Sequence, residues 1–185
     1  MNQKKISGIA FLALFLVSCG GTSRTYSSSQ SSFVPATYSI EYLLNGGTND
    51  PDNPSTYSNN GESIALQNPF REDYDFKRWM KGSDVVTEIK PSWNKDVTLE
   101  AIWAPHPYKI HYIVGEGANH PNNPATYTIE SFDIDLQDAS LTGSTFLGWY
   151  DNAEFQGERV YSIERGTKGD LALYARSVQA HYVIN

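Results

Sequence analysis

Asn49, Asp50, Asp52 and Asn53 crowd acid and amide oxygens into one short stretch, a donor set of the kind a calcium ion takes. Seventy residues further on, the corresponding positions are Asn119, His120, Asn122 and Asn123, with no carboxylate left. A turn rich in Asn and Pro accounts for both stretches, so no metal site is expected. The histidines His106, His111, His120 and His181 show no close metal-ligand spacing, and His111 and His181 take the outward strand position held by Glu41. Asp133 with Asp135, and Glu154 with Glu158, carry the groups that cleave glycosides by acid and base. Acids on the outer face of a strand or in a loop are commoner. Nucleophile elbow, phosphate loop and dinucleotide fingerprint are all missing from the sequence. The expectation is therefore no catalytic residue and no cofactor.

One thiol is left, Cys19, the single cysteine of the chain. It follows Lys4 and Lys5, an apolar run from Ile6 to Val17, and the small residue Ser18. A charged start, an apolar core and a small residue before a cut describe a secretory signal peptide, residues 1–18, too short for a membrane span. The ending Leu16-Val17-Ser18-Cys19 resembles the lipobox of bacterial lipoproteins, which implies acylation of Cys19 and cleavage before it. Two acyl chains hold a protein to a membrane stably where one does not. The alternatives are a free thiol after ordinary cleavage, or a buried residue of an uncleaved segment. Residues 19–37 are rich in Gly, Ser and Thr and read as a flexible linker, spanning on the order of 20–25 Å.

What these groups would be mounted on is a duplicated unit. Tyr42 and Tyr112 are 70 positions apart, and at that offset Pro51 pairs with Pro121, Asn53 with Asn123, Tyr57 with Tyr127, Ile64 with Ile134, Phe76 with Phe146 and Trp79 with Trp149. The offset then becomes 74, pairing Ile89 with Ile163, Leu99 with Leu173 and Ala101 with Ala175, so the second copy carries four more residues after its Trp. Retained aromatic, aliphatic, Gly, Pro and Asn residues mark a duplicated fold more than a duplicated active site. The copies are placed at 38–103 and 108–177, with 104–107 as linker and 178–185 as the truncated start of a third unit. Its strand, with Tyr182 and Ile184 on one face, either pairs with an open sheet edge or frays.

Each copy opens on period-two alternation, with Tyr38, Ile40, Tyr42 and Leu44 inward in the first and Tyr108, Ile110, Tyr112 and Val114 inward in the second. A second alternation sets Ile64 and Leu66 inward, matched by Phe132, Ile134 and Leu136. Strands around Phe76–Trp79, Val97–Trp103 and their counterparts bring the count to four or five per copy. A short helix fits only near Asp151 to Gln156. The class is mainly β, or β-rich α+β. A unit of this size rests on large side chains, which makes Tyr42, Phe76, Trp79, Tyr112, Phe146 and Trp149 the core anchors. An exposed sugar-stacking platform is the rival reading of the two Trp residues.

Leu44-Asn45-Gly46-Gly47-Thr48 in the first copy, with Phe146-Leu147-Gly148-Trp149-Tyr150-Asp151 and Leu173-Tyr174-Ala175-Arg176 in the second, resembles the Listeria-Bacteroides repeat, the B-repeat of internalin-type surface proteins. The resemblance covers Tyr38 to Ser177 and implies compact β-grasp-like modules of bacterial surface proteins, serving extension, adhesion or host-protein contact. Departures are Gly115-Glu116-Gly117 for the Asn-Gly-Gly turn, Arg78 in place of a Gly, and Ser177 where the first copy has Trp103. The formal charge of −7 becomes −9 once the two lysines of residues 1–18 are removed, and such a surface repels nucleic acid. The expected partners are a membrane, through the N-terminal lipid, and an extracellular or envelope protein. A glycan is the alternative.

Overall fold

The computed structural model describes residues 34–180; Cys19, Tyr182, Ile184 and the expectations attached to them lie outside the described residues. The first copy consists of β1 (Thr37–Leu43), β2 (Thr56–Ser58), β3 (Ile64–Ala65), β4 (Tyr74–Lys81), β5 (Asp84–Val86), β6 (Glu88–Ile89) and β7 (Val97–Pro105), with a 3-10 turn at Pro91–Trp93 before β7. The second consists of β8 (Tyr108–Ile113), β9 (Thr126–Tyr127), β10 (Ile134–Asp135), β11 (Ser144–Tyr150), β12 (Ser162–Ile163) and β13 (Leu171–Gln179). The class is β-rich, in two tandem modules with no α-helix among the described residues.

In the first module the main sheet has the order β2-β1-β7-β4-β5, and in the second β11-β13-β8-β9. Opening and closing strands lie side by side and parallel, Ile40 opposite Val97 and Ile110 opposite Leu171. A parallel pair needs a long crossover. The rest of each module supplies it, and the two-stranded ribbons β3–β6 and β10–β12 are part of that connection. The alternation read from sequence has its cause in this sheet: Ile40 and Ile110 are buried while Glu41, Leu43, His111 and Ile113 face outward. Each module then has its own core, Ile40, Tyr57, Trp79, Ile89, Val97, Leu99 and Ala101 in one, Ile110, Tyr127, Ala139, Trp149, Ile163 and Leu173 in the other.

The structure corrects several expectations. No helix forms at Asp151–Gln156; the Asn152 side chain accepts the Gln156 N–H at 2.9 Å and donates to the Gln156 carbonyl at 3.0 Å. An amide that bonds the backbone locally offers it an alternative to the helix. This loop holds the four extra residues, since Trp149 bridges Val160 where Trp79 faces Val86 across the β4–β5 hairpin. Phe132 is not inward but 83% exposed, because the ribbon pairing starts only at Ile134. Ala104 and Pro105 belong to β7 rather than to a linker, and Thr37 already belongs to β1. Val178 and Gln179 do not open a third unit: they extend β13, pairing with Thr145 and Ser144, and the Ala180 N–H closes on the Gly143 carbonyl at 2.8 Å.

Candidate functional site

Trp79 and Trp149 are each 2% exposed, so neither ring is a sugar platform. Tyr42 and Phe76 pack on Trp79 with ring centroids 5.4 Å away in both cases, and Tyr112 and Phe146 pack on Trp149 at 5.2 and 5.5 Å. These six residues line the module interiors and do not converge on a cleft of titratable groups. Burial pushes the Tyr42 and Tyr112 hydroxyls up to about 12. Tyr42 donates to the Pro54 carbonyl at 2.9 Å, whereas the equally buried Tyr112 hydroxyl has no partner.

The Asn-rich loops turn out to be polar clamps. Asn53 is buried, donates to Asn49 Oδ1 at 2.8 Å and to the Gln67 carbonyl at 3.0 Å, and accepts the Gln67 N–H at 2.8 Å. The Gln67 carbonyl also receives the Trp79 indole N–H at 3.0 Å. Asn123, Asn119, Gln137 and Trp149 repeat the arrangement at 2.7 to 2.9 Å. One amide therefore ties the loop, the ribbon and the Trp together. The Asn49 and Asn53 side-chain oxygens accept from protein donors, and Asp50 Oδ1 caps the Asp52 N–H at 2.9 Å. The pairing of Asn53 with Asn123 was visible in the sequence; that the pair is buried was not.

The candidate acids stay apart. Asp133 accepts the Arg165 N–H at 2.8 Å, and Glu154 and Glu158 are exposed. No group of three or more His, Cys, Asp or Glu is arranged for a metal among the described residues.

Ionised groups instead gather where the modules meet. Asp73 accepts hydrogen bonds from the Tyr108 hydroxyl and the Lys168 ammonium, and its carbonyl takes the His106 N–H at 2.8 Å. Lys168 also reaches Glu72 at 3.3 Å, Asp75 meets His106 Nδ1 at 2.8 Å, and the Tyr74 hydroxyl donates to Glu130 at 2.6 Å. Lys168 and Tyr108 hold the Asp73 carboxyl below its usual range, and His106 does the same for Asp75. Asp73 in turn raises the Lys168 ammonium, to which Glu72 adds, and the Tyr108 hydroxyl. Sequence spacing gave no sign of this junction, because its partners are 31 to 96 residues apart and, apart from Tyr108 with Tyr38, the same residue does not recur in the other copy.

The copies also differ at one end of the core. Trp103 stands opposite Phe76 across β4 and β7, 5.5 Å from its ring, and donates its indole N–H to the Leu44 carbonyl at 2.9 Å. Ser177 holds the same register position opposite Phe146. Ser177 stands in the wall of a cleft of about 370 Å³ with Val114 and Leu141. A groove of about 710 Å³ adjoins it through Glu116 and Leu141 and reaches Phe146 and Asp138.

Two tandem β-modules, each closed on its own Trp and Asn clamp, define a repeat protein rather than a single enclosed active site. The family comparison agrees, and the chain belongs to the Listeria-Bacteroides repeat domain family, whose model matches residues 38–102 and 108–176. Repeats of this family occur in bacterial surface proteins and are structural in type. No curated protein and no solved structure matches the chain.

Proposed function

We propose that the chain is a lipid-anchored bacterial surface protein whose two modules, of the internalin B-repeat kind, serve as spacer and protein-binding unit. In this reading residues 1–18 are the export signal, Cys19 carries the lipid, and residues 19–36 lift the modules from the membrane. The supporting observation is the pair of separate cores, one per module, which makes each module a unit of its own. Metabolic labelling with an alkyne fatty acid tests the anchor. The wild-type chain takes up label and partitions with membranes, and Cys19→Ser does neither; an unlabelled wild-type chain that stays in the aqueous phase refutes it. A glycan-binding reading draws on two exposed rings of the second module, Phe132 at 83% and Tyr161 at 67%, each with an Arg guanidinium within 6 Å, Arg165 at 5.8 Å and Arg159 at 5.0 Å. Glycan-array binding lost in Phe132→Ala or Tyr161→Ala supports that alternative, and an array without signal removes it.

A further inference from the structure

We propose that the cleft at Ser177 is a socket for a tryptophan side chain presented by a basic polypeptide segment, an inference that rests on reading the modules as protein-binding units. The argument for the occupant comes from the other copy of the same fold. In the first module the equivalent space is filled by an indole, that of Trp103, packed edge-on to Phe76 at 72° and hydrogen-bonded to the carbonyl of Leu44. The second module retains the receiving parts: Phe146 for Phe76, and the Val114 carbonyl for the Leu44 carbonyl. Both carbonyls close the same turn, accepting the N–H of Gly47 or Gly117 at 2.9 Å. The ring is replaced by Ser177 at the identical pairing position, and beside it Phe70 and Arg71 give way to the smaller Ser140 and Leu141. Phe146 and Gly117, the counterparts of the Phe76 and Gly47 that the Trp103 ring lies against, line an open groove here, so an indole from outside meets the same aromatic face.

A polypeptide source fits better than a free small molecule. Trp103 itself enters its site from an extended strand, β7. The groove of about 710 Å³ runs past Gly117 and Phe146 to Asp138, Thr142 and Ser144, room for chain that a lone ring would leave empty. Charge then selects the flanks. Glu116 and Asp138 lie on the groove wall, both are exposed, and no Lys, Arg or His joins them there. Lys or Arg beside the tryptophan would meet those carboxylates at the rim, where opposite charge mainly aids encounter and register. The ring carries most of the affinity, as buried aromatic anchors do in protein interfaces.

The test uses the full chain and a capped pentapeptide, Arg-Gly-Trp-Gly-Arg, followed by NMR shifts of the amides around Gly117, Leu141 and Ser177. Saturable shifts confined to this end of the second module are expected, with affinity at least about tenfold weaker for the Trp→Ala peptide. Ser177→Trp should refill the socket from within and abolish the shifts. Should that variant not fold, the exposed charge reversals Glu116→Lys and Asp138→Lys provide an independent arm, weakening the peptide while leaving the spectrum of the free protein intact. Equal binding of the Trp and Ala peptides, unchanged binding in both sets of variants, or no saturable shift overturns the socket. A partner protein that the wild-type chain and Ser177→Trp retain equally well from envelope extract also overturns the socket and leaves the protein-binding reading standing. Failure of the wild-type chain to retain any protein overturns both.

Discussion

Replacing Asn53 by Asp changes one atom group and separates two accounts of its loop. As a clamp, Asn53 uses its amide in both senses, two N–H donors toward Asn49 Oδ1 and the Gln67 carbonyl, one oxygen toward the Gln67 N–H. An ionised Asp at 53 can still accept from Gln67, but it sets a carboxylate against two acceptor oxygens. Two bonds are lost at about 0.5–1.5 kcal/mol each, and desolvating a charge beside unpaired acceptors adds further cost. The expected loss for Asn53→Asp is about 2–4 kcal/mol in the first module, close to that of Asn53→Ala, which forfeits all three bonds. Calcium coordination would reverse the outcome, since another carboxylate among Asn49, Asp50 and Asp52 strengthens an oxygen site. Indole hydrogen exchange, read separately for Trp79 and Trp149, assigns the effect to a module. Trp79 should exchange faster with Trp149 unchanged, at any calcium concentration. Stability equal to wild type, or recovery on adding calcium, would refute the clamp.

Trp79→Ala and Trp149→Ala should each cost about 3–5 kcal/mol in their own module, measured by denaturant unfolding; a normal transition would deny the rings their role in the core. The two buried tyrosines should differ on truncation: Tyr42→Phe loses its bond to Pro54 and about 1 kcal/mol, whereas Tyr112→Phe removes an unpartnered hydroxyl and is neutral or stabilising. Equal losses in the two variants would contradict that difference. The junction should respond to acid. Asp73 and Asp75 have lowered values in the folded chain, so their contribution is fully present above the usual carboxylate range near pH 4 and is lost as pH falls through the folded values. Energy transfer between dyes on the two modules should therefore stay constant from neutral pH down to about 4 and change below it. Lys168→Met should shift that change to higher pH; a wild-type signal that already drifts between pH 7 and 5 would exclude these carboxylates as its cause.

Legibility followed the range of the interactions. Alternation along β1 and β8 reports one strand's two faces, so Ile40 and Ile110 could be assigned to the core and Glu41 and His111 to solvent from local pattern alone. Trp79 and Trp149 were legible because repetition filters chance. The two-residue strands β3, β6, β10 and β12 carry too few residues for a period, and Phe132 was drawn inward by extending one past its paired length. The loop at Asp151–Gln156 had helix-compatible residues, but an Asn152 side chain bonded to Gln156 decided otherwise. Asn53 looked like a turn residue, and only its three side-chain hydrogen bonds, to Asn49 and Gln67, show that it organises an interior. The junction of Asp73, Tyr108 and Lys168 required coordinates, because Asp73 and Lys168 read as ordinary polar residues and Tyr108 as an inward strand residue until the fold brings them together.

Duplication makes the differences between the copies informative. Where both modules carry a feature, such as the Asn clamp under the Trp, stability alone explains its presence. Where one has lost it, the loss is free to serve something else. Ser177 in place of Trp103 removes an aromatic contact and an indole hydrogen bond from the second core, yet the strands on either side keep register, with Phe146 opposite Ser177 as Phe76 is opposite Trp103. Trp103 is half-buried, so its absence costs less than the loss of a fully buried Trp, yet it still counts in a module of this size. A sequence that tolerates such a deficit in one copy while holding the surrounding wall in place has separated two tasks: the first module closed for strength, the second left open at one end.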